Sequence, residues 1–179
     1  MNFLLISTCS EKLSEREFVH PIANIINPEN HKILHYKECN KVIVSEFDKI
    51  MICGTSLQDN HYQENLKIFK ELLSDYDKPI LGICSGMQIV AMLFGEKIVE
   101  NIEIGMIEVQ TLEPNNLCDG EFQAYSLHNY TVDKMESFYA LARSENNIQV
   151  IKHISKQIFG ISFHPEVRNN GIIESFLRI

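Results

Sequence analysis

Residues Pro79-Ile80-Leu81-Gly82-Ile83-Cys84-Ser85-Gly86-Met87-Gln88 decide how the rest of this chain is read. A continuous apolar run, Lys78–Ile83, has the character of a buried strand. It passes without a linker into an amphipathic stretch, Ser85–Phe94, that reads as a helix stopped by Gly95. Between the two stands Gly-x-Cys-x-Gly. Its glycines allow a sharp strand-to-helix turn that holds the residue between them out at the carboxyl end of a sheet. Cys84 then sits at a helix N-terminus, whose partial positive charge attracts anions, and the Ser85 amide N–H there is free to bond a developing oxyanion. A buried cysteine beside a packing glycine is the plainer reading of the same five residues.

Outward from this stretch, strands and helices alternate over the first hundred residues. Phe3–Ser7, His31–Tyr36 and Lys49–Cys53 read as strands. Ser14 to Ile26 reads as a helix in which Pro21 imposes a kink or a late start. In Asp59–Ser74 the apolar positions Tyr62, Leu66, Phe69, Leu72 and Leu73 form a helical stripe, with Asp59 or Asn60 as the N-cap. Such alternation implies a parallel sheet covered on both faces. The second half changes to short β-rich runs: Ile98–Val99, Ile107–Leu112, Phe122–Leu127, Phe138–Arg143, Gln149–Ile154 and Ile158–Phe163. A helix at about Asn170–Leu177 follows. The expected fold is α/β: a mostly parallel sheet with helices on both faces and a short antiparallel β extension in the second half.

The 179 residues, without repeat or linker, are expected to form one domain, 1–179. Hydrophobic residues at 45% and charged residues at 22% are an ordinary globular mix. Sixteen Lys+Arg against twenty-four Asp+Glu give a net charge of −8, the wrong sign for binding a phosphate backbone, so no nucleic-acid partner is expected. No apolar run approaches the roughly 20 residues that span a bilayer, and the start lacks the basic region and long apolar stretch of a signal peptide. No membrane association and a cytoplasmic location are therefore expected. Five cysteines (Cys9, Cys39, Cys53, Cys84 and Cys118) are an odd number with no C-x-x-C pair, which argues against a disulfide framework or a zinc ribbon. His31 and His35, four apart in a strand, are too distant for one metal; neither metal nor cofactor is expected.

A second stretch bears on Cys84. Phe159-Gly160-Ile161-Ser162-Phe163-His164-Pro165-Glu166 is a β-run ending in His-Pro-Glu. Extended geometry would send the side chains of His164 and Glu166 to the same side. An imidazole oriented by a carboxylate is the general base that a thiol nucleophile needs. Alone, the tripeptide reads more plainly as a surface His and Glu flanking a turn proline. Eighty residues after a strand-end Cys84, and itself at a strand end, it can converge with the cysteine on one crevice.

Gly82-Ile83-Cys84-Ser85-Gly86-Met87-Gln88 taken together with His164-Pro165-Glu166 resembles the class I (triad-type) glutamine amidotransferases, over about Lys49 to Glu166. The resemblance implies a flavodoxin-like fold and glutamine as substrate. It makes Cys84 the nucleophile, His164 the base and Glu166 its orienting partner. Gln88 matches a position that touches the substrate glutamine. Ile52-Cys53-Gly54-Thr55 occupies the place of the family's Gly-Gly-Pro loop, with Cys53 for the first Gly and Thr55 for Pro; the N–H of Gly54 joins that of Ser85 as an oxyanion donor. Ser126-Leu127-His128-Asn129-Tyr130-Thr131-Val132-Asp133 resembles the family's His-containing segment, which places Leu127, His128, Asn129 and Tyr130 around the substrate's amino-acid end.

Other departures are Ser85, usually Leu, and Met87, often His. Lys97-Ile98-Val99-Glu100-Asn101 lacks an arginine that many relatives carry. The resemblance implies glutamine hydrolysis through a γ-glutamyl thioester, with ammonia passed to a separate synthetase subunit, since Ile179 leaves no room for a synthetase domain. Within the family, the glutaminase subunits of two-subunit GMP synthetases fit best. A stand-alone hydrolase of γ-glutamyl amides and a non-catalytic protein that retains the fold stay open as alternatives.

Overall fold

Alternation along the first strand sets up two helical layers. In β1 (Asn2–Ser7), Phe3 and Leu5 belong to one core and Leu4 and Ile6 to the other, all four fully buried. A strand apolar on both faces must be covered on both. The computed structural model, which describes residues 1–179, meets this demand. On one side α1 (Glu15–Phe18), α2 (His20–Ile26) and α8 (Asn170–Arg178) bring Phe18, Ile22 and Phe176 onto Phe3, Leu5 and Met51. On the other, α5 (Leu66–Leu73) and α6 (Ser85–Leu93) bring Phe69, Leu72, Ile89 and Val90 onto Leu4, Ile6, Ile50 and Ile52.

The sheet has nine strands in the order β2-β1-β3-β4-β9-β8-β7-β5-β6. The first five, β2 (Asn30–His35), β1, β3 (Lys49–Ile52), β4 (Ile80–Ile83) and β9 (Ile158–Ile161), run parallel. The remainder, β8 (Ile148–His153), β7 (Phe138–Arg143), β5 (Ile98–Thr111) and β6 (Glu121–Val132), is antiparallel. This is the α/β architecture with an antiparallel extension that the sequence implies. No helix is long and apolar enough to cross a membrane, and no group of three or more His, Cys, Asp or Glu side chains is placed to hold a metal.

Local departures have local causes. The helix expected over Ser14–Ile26 is interrupted at Val19, and Pro21 lies in the first turn of α2, where its missing N–H costs nothing. The helix expected over Asp59–Ser74 divides into α4 (His61–Glu64) and α5 at Asn65, whose Nδ2 donates to the His61 carbonyl at 2.7 Å and competes with the helical ladder. Asn60 holds the N-cap position without a side-chain bond, while the Asp59 carboxylate is used elsewhere. An unanticipated helix, α3 (Lys41–Ser45), is capped by Asn40, which accepts from the Ile43 N–H at 3.0 Å.

The largest departure is the β5–β6 hairpin. One fourteen-residue strand, β5, replaces the two short runs expected at Ile98–Val99 and Ile107–Leu112. The intervening Glu, Asn and Gly residues have poor strand propensity, and the long partner β6 overrides it. One extra β5 residue lies between the Glu100–Tyr130 and Glu103–His128 pairs, a bulge that precedes Glu103. The Glu103 carboxylate is largely buried and accepts from Ser126 Oγ (3.2 Å), Ser144 Oγ (2.9 Å) and Gln149 Nε2 (2.6 Å). Burial alone would raise its pKa; the hydrogen bonds it accepts, with His128 and Asn147 close beside it, outweigh burial and lower it from the ordinary 4.5 to about 2.

This packing has consequences for stability. A Cβ at Gly86 would fall 2.1 Å from the Ile52 carbonyl oxygen, and backbone cannot yield. Gly86→Ala should cost on the order of 1–3 kcal/mol or more, read as a lower urea midpoint. At Gly171, in α8, an added Cβ meets nothing within 4 Å, so Gly171→Ala should leave the midpoint unchanged or higher. Equal midpoints for the two variants would contradict the close approach of α6 to β3. Acid should act through Glu103. A carboxylate whose pKa is depressed in the folded state stabilises it above the unfolded pKa and loses that contribution as pH falls through the folded value. Glu103 therefore contributes fully above about pH 4.5 and progressively less toward pH 2. Glu103→Gln should flatten the dependence of Tm on pH across this window; an unaltered slope would contradict it.

Candidate active site

Cys84 is the one non-glycine residue with positive φ (φ 51°, ψ −107°). Holding an L-residue there costs on the order of 1–3 kcal/mol and persists only where the surroundings dictate it. Here they do. The Cys84 N–H donates to Ile161 O at 2.7 Å, and its carbonyl accepts from the amides of Met87 (3.0 Å) and Gln88 (3.3 Å). Gly82 and Gly86 let strand and helix backbones touch: a Cβ at Gly82 would lie 2.3 Å from Gly86 O.

The neighbouring strand supplies the histidine. β9 pairs in parallel with β4, Ile83 opposite Ile161, so the carboxyl ends of both strands lie side by side. The chain continues through Ser162 and Phe163 to His164, whose N–H donates to Tyr125 O at 2.8 Å. His164 and Glu166 meet, though not as the extended backbone expected from sequence. His164 is the N-cap of a short helix, α7 (Pro165–Arg168), and Pro165 opens its first turn. The turn brings Glu166 Oε1 to 2.8 Å from His164 Nδ1 with both side chains buried. Burial by itself would lower the His164 pKa; the Cys84 sulfur and the Glu166 carboxylate outweigh it and hold it well above the usual value.

Gly54 closes the group. A Cβ there would come within 3.0 Å of His164 Cε1 and 3.2 Å of Cys84 Cβ, so a glycine lets the loop after β3 lie directly on the Cys–His pair. Neither the Gly54 nor the Ser85 N–H has a backbone acceptor within the chain. His164 Nε2 is buried and unpartnered, and Cys84 Sγ lies 3.5 Å from Leu127 O. A resting geometry with a loose thiol–imidazole contact is common before substrate arrives.

Thr55, Leu57, Tyr62, Cys84, Ser85, Gln88 and residues 127–130 line one narrow cleft. Gln88 is locked at both ends of its amide: Nε2 donates to Tyr130 O at 3.2 Å, and Oε1 accepts from Tyr62 Oη. Tyr62 was legible in the sequence only as part of an apolar stripe. Its phenol is the polar handle that a buried tyrosine usually satisfies. Asn129 Nδ2 donates to Leu57 O at 2.7 Å and ties β6 to the cleft loop. The His128 imidazole is fully buried, with Nε2 3.4 Å from the Glu103 carboxylate, so only its main chain is available to the cleft.

The other thiols have different surroundings. Cys53 is completely buried, and burial, reinforced by the charge of Glu166, pushes its pKa well above the ordinary value. Burial raises Cys39 to about 11 and raises Cys118 as well. Such thiols are inert. Cys9, which no motif marks, donates its S–H to Gly54 O at 3.6 Å.

A family model described as glutamine amidotransferase class-I matches residues 17–177. A glutamine-hydrolyzing GMP synthase subunit from Methanosphaera stadtmanae is 39% identical over 178 residues, covering 88% of this chain and 96% of that protein. Its counterpart from Pyrococcus abyssi is 35% identical over 125 residues, covering 64% of this chain and 66% of that protein. Among solved structures, the corresponding putative GMP synthase subunit from Thermoplasma acidophilum superimposes with a TM-score of 0.87 at 20% identity, over 99% of this chain and 92% of that one. A strained cysteine beside a buried His–Glu pair, on a sheet of this topology and with relatives of this extent, leaves one assignment: the chain belongs to the class I glutamine amidotransferases.

Proposed function

We propose that this chain is the glutaminase subunit of a two-subunit GMP synthase, one domain over residues 1–179, which hydrolyses glutamine and passes ammonia to a separate synthetase subunit in the cytoplasm. The observation that carries the catalytic part is the His164–Glu166 contact of 2.8 Å, packed against a backbone-strained Cys84. The pathway assignment rests on the 39% identity to a glutamine-hydrolyzing GMP synthase subunit along nearly that protein's whole length. Five unpaired cysteines suit a reducing compartment.

In this reading Cys84 Sγ gives its proton to His164 Nε2 and attacks the side-chain carboxamide carbon of glutamine. The carbonyl oxygen becomes an oxyanion held by the N–H groups of Gly54 and Ser85. His164 returns the proton to the departing nitrogen, which leaves as ammonia, and a γ-glutamyl thioester remains on Cys84. Water, deprotonated by the same imidazole, attacks the thioester; glutamate leaves and the thiol is restored. Glu166 accepts the Nδ1–H throughout, fixing the tautomer that presents Nε2 to sulfur. Gln88 and the main chain of Leu127, His128, Asn129 and Tyr130 hold the amino-acid end of glutamine.

Cys84→Ala should abolish glutamine hydrolysis, and Glu166→Gln should lower kcat by on the order of 10⁴ through the wrong tautomer. Ammonia release is measured with the partner synthetase present. Hydrolysis at an undiminished rate by Cys84→Ala would sink the assignment. For the role in a two-part enzyme, co-purification from the native host at endogenous level should recover an ATP-dependent synthetase, and adding it should raise the glutaminase rate. Full activity on γ-glutamyl amides other than glutamine, with no response to a partner, would point to a stand-alone hydrolase instead.

A further inference from the structure

The loop that carries Gly54 departs from the family pattern on both sides, with Cys53 before it and Thr55 after it. A Gly-Gly-Pro loop is stiffened by the fixed φ of its proline, and Thr55 lacks that constraint. Residues 53–60 lie between β3 and α4 without regular structure, so something else must fix Gly54 against Cys84.

The turn after β1 does so, directly at Cys53 and Gly54 and through Asp59 at Thr55. The Cys53 carbonyl accepts from Thr8 Oγ1 at 3.0 Å and from Ser85 Oγ at 3.3 Å, and those two hydroxyls lie 3.0 Å apart. The Gly54 carbonyl accepts the Cys9 thiol. Thr55 Oγ1 donates to Asp59 Oδ2 at 2.8 Å. The same carboxylate accepts from the Ser10 N–H at 2.6 Å and from Ser10 Oγ at 2.7 Å. Asp59 is buried, and it is the one charged group in the set. Its three bonds are charge-assisted, roughly twice as strong as neutral ones. They join the far side of the loop to the end of β1, a strand inside the parallel part of the sheet.

We propose that Asp59 is a positioning residue that, through Thr55 and Ser10, clamps the oxyanion loop over Cys84 in place of the missing loop proline. Asp59 borders the same cleft, but both of its carboxylate oxygens are taken up by Ser10 and Thr55, so it acts through the loop. Its effect falls on how well the Gly54 N–H is aimed at an oxygen that becomes charged only in the transition state, so it governs kcat and leaves glutamine affinity largely alone. The role assigned to Asp59 rests on the glutaminase reading.

The test uses the full chain with its synthetase partner. Asp59→Ala and the near-isosteric Thr55→Val should each lower kcat for glutamine hydrolysis by about ten- to a hundredfold, the scale of a misplaced catalytic group, with KM within about twofold. Rates are expressed per alkylatable Cys84, so unfolded protein does not count. Because both variants break one clamp, the double variant should fall no further than the lower single one. Thr55→Ser, which keeps the hydroxyl, should recover most of the loss. Hydrogen exchange reads the clamp without reference to activity: the Ser10 amide should exchange at least tenfold faster in Asp59→Ala. Unchanged exchange, a kcat for Thr55→Val within twofold of the parent, or losses confined to KM would each overturn the proposal. Glutamine turnover indifferent to Cys84→Ala would instead overturn the glutaminase reading, a separate result.

Discussion

Everything at this site depends on a cysteine held where an L-residue is unwelcome. Cys84 at φ 51° stands between the end of β4 and the start of α6, and no local preference keeps it there. What keeps it there is contact between backbones that no side chain could occupy. Gly82 presses on Gly86, and Gly86 presses on the carbonyl of Ile52 in the next strand. The strain, of order 1–3 kcal/mol, is small against the burial of two apolar layers, and the packing of α6 can hold it. In return the cysteine stands at the carboxyl end of β4, buried yet lining the cleft.

This constraint explains why so much of the site could be read from residues 79–88 alone. Two glycines in a strand-to-helix turn have few structural reasons to be there together, so the motif states its own geometry. His-Pro-Glu was legible for a related reason: a proline restricts the backbone enough that the neighbouring His and Glu can meet in few ways. The way they do meet differs from the extended reading. Pro165 is as well suited to the first turn of a helix as to a strand end, and the sequence does not distinguish the two.

What remained illegible was long-range and polar. Glu103 reads as one more charged residue in a weak strand, yet it is the hub of a buried cluster drawn from β6, β8 and the turn after β7. Asp59 reads as a helix cap and is used to bridge two loops. Tyr62 reads as an apolar stripe position and orients Gln88. In each case the residue type was visible and the distant partner was not, because partners 23 to 49 residues away leave no periodic trace. Strand limits failed for the same reason. β5 runs through poor strand formers because β6 pairs with it along nearly its whole length.

The two substitutions in the Gly-Gly-Pro position acquire a meaning from this. Cys53 faces the core and is buried completely, so the first glycine of the pattern is replaced where a small apolar side chain fits and the loop's path is undisturbed. Thr55 loses the proline's rigidity and gains a hydroxyl, and the hydroxyl finds a carboxylate. Ser85, where leucine is usual, does the same from the other side by bonding the Cys53 carbonyl. These departures are thus correlated in space: Ser85 bonds the Cys53 carbonyl and meets Thr8, and Thr55 reaches Ser10 through Asp59. A loop losing its role would be expected to lose contacts. Here both changed polar side chains have partners, and the one unchanged residue, Gly54, keeps the close approach to Cys84 and His164 that any larger residue would destroy.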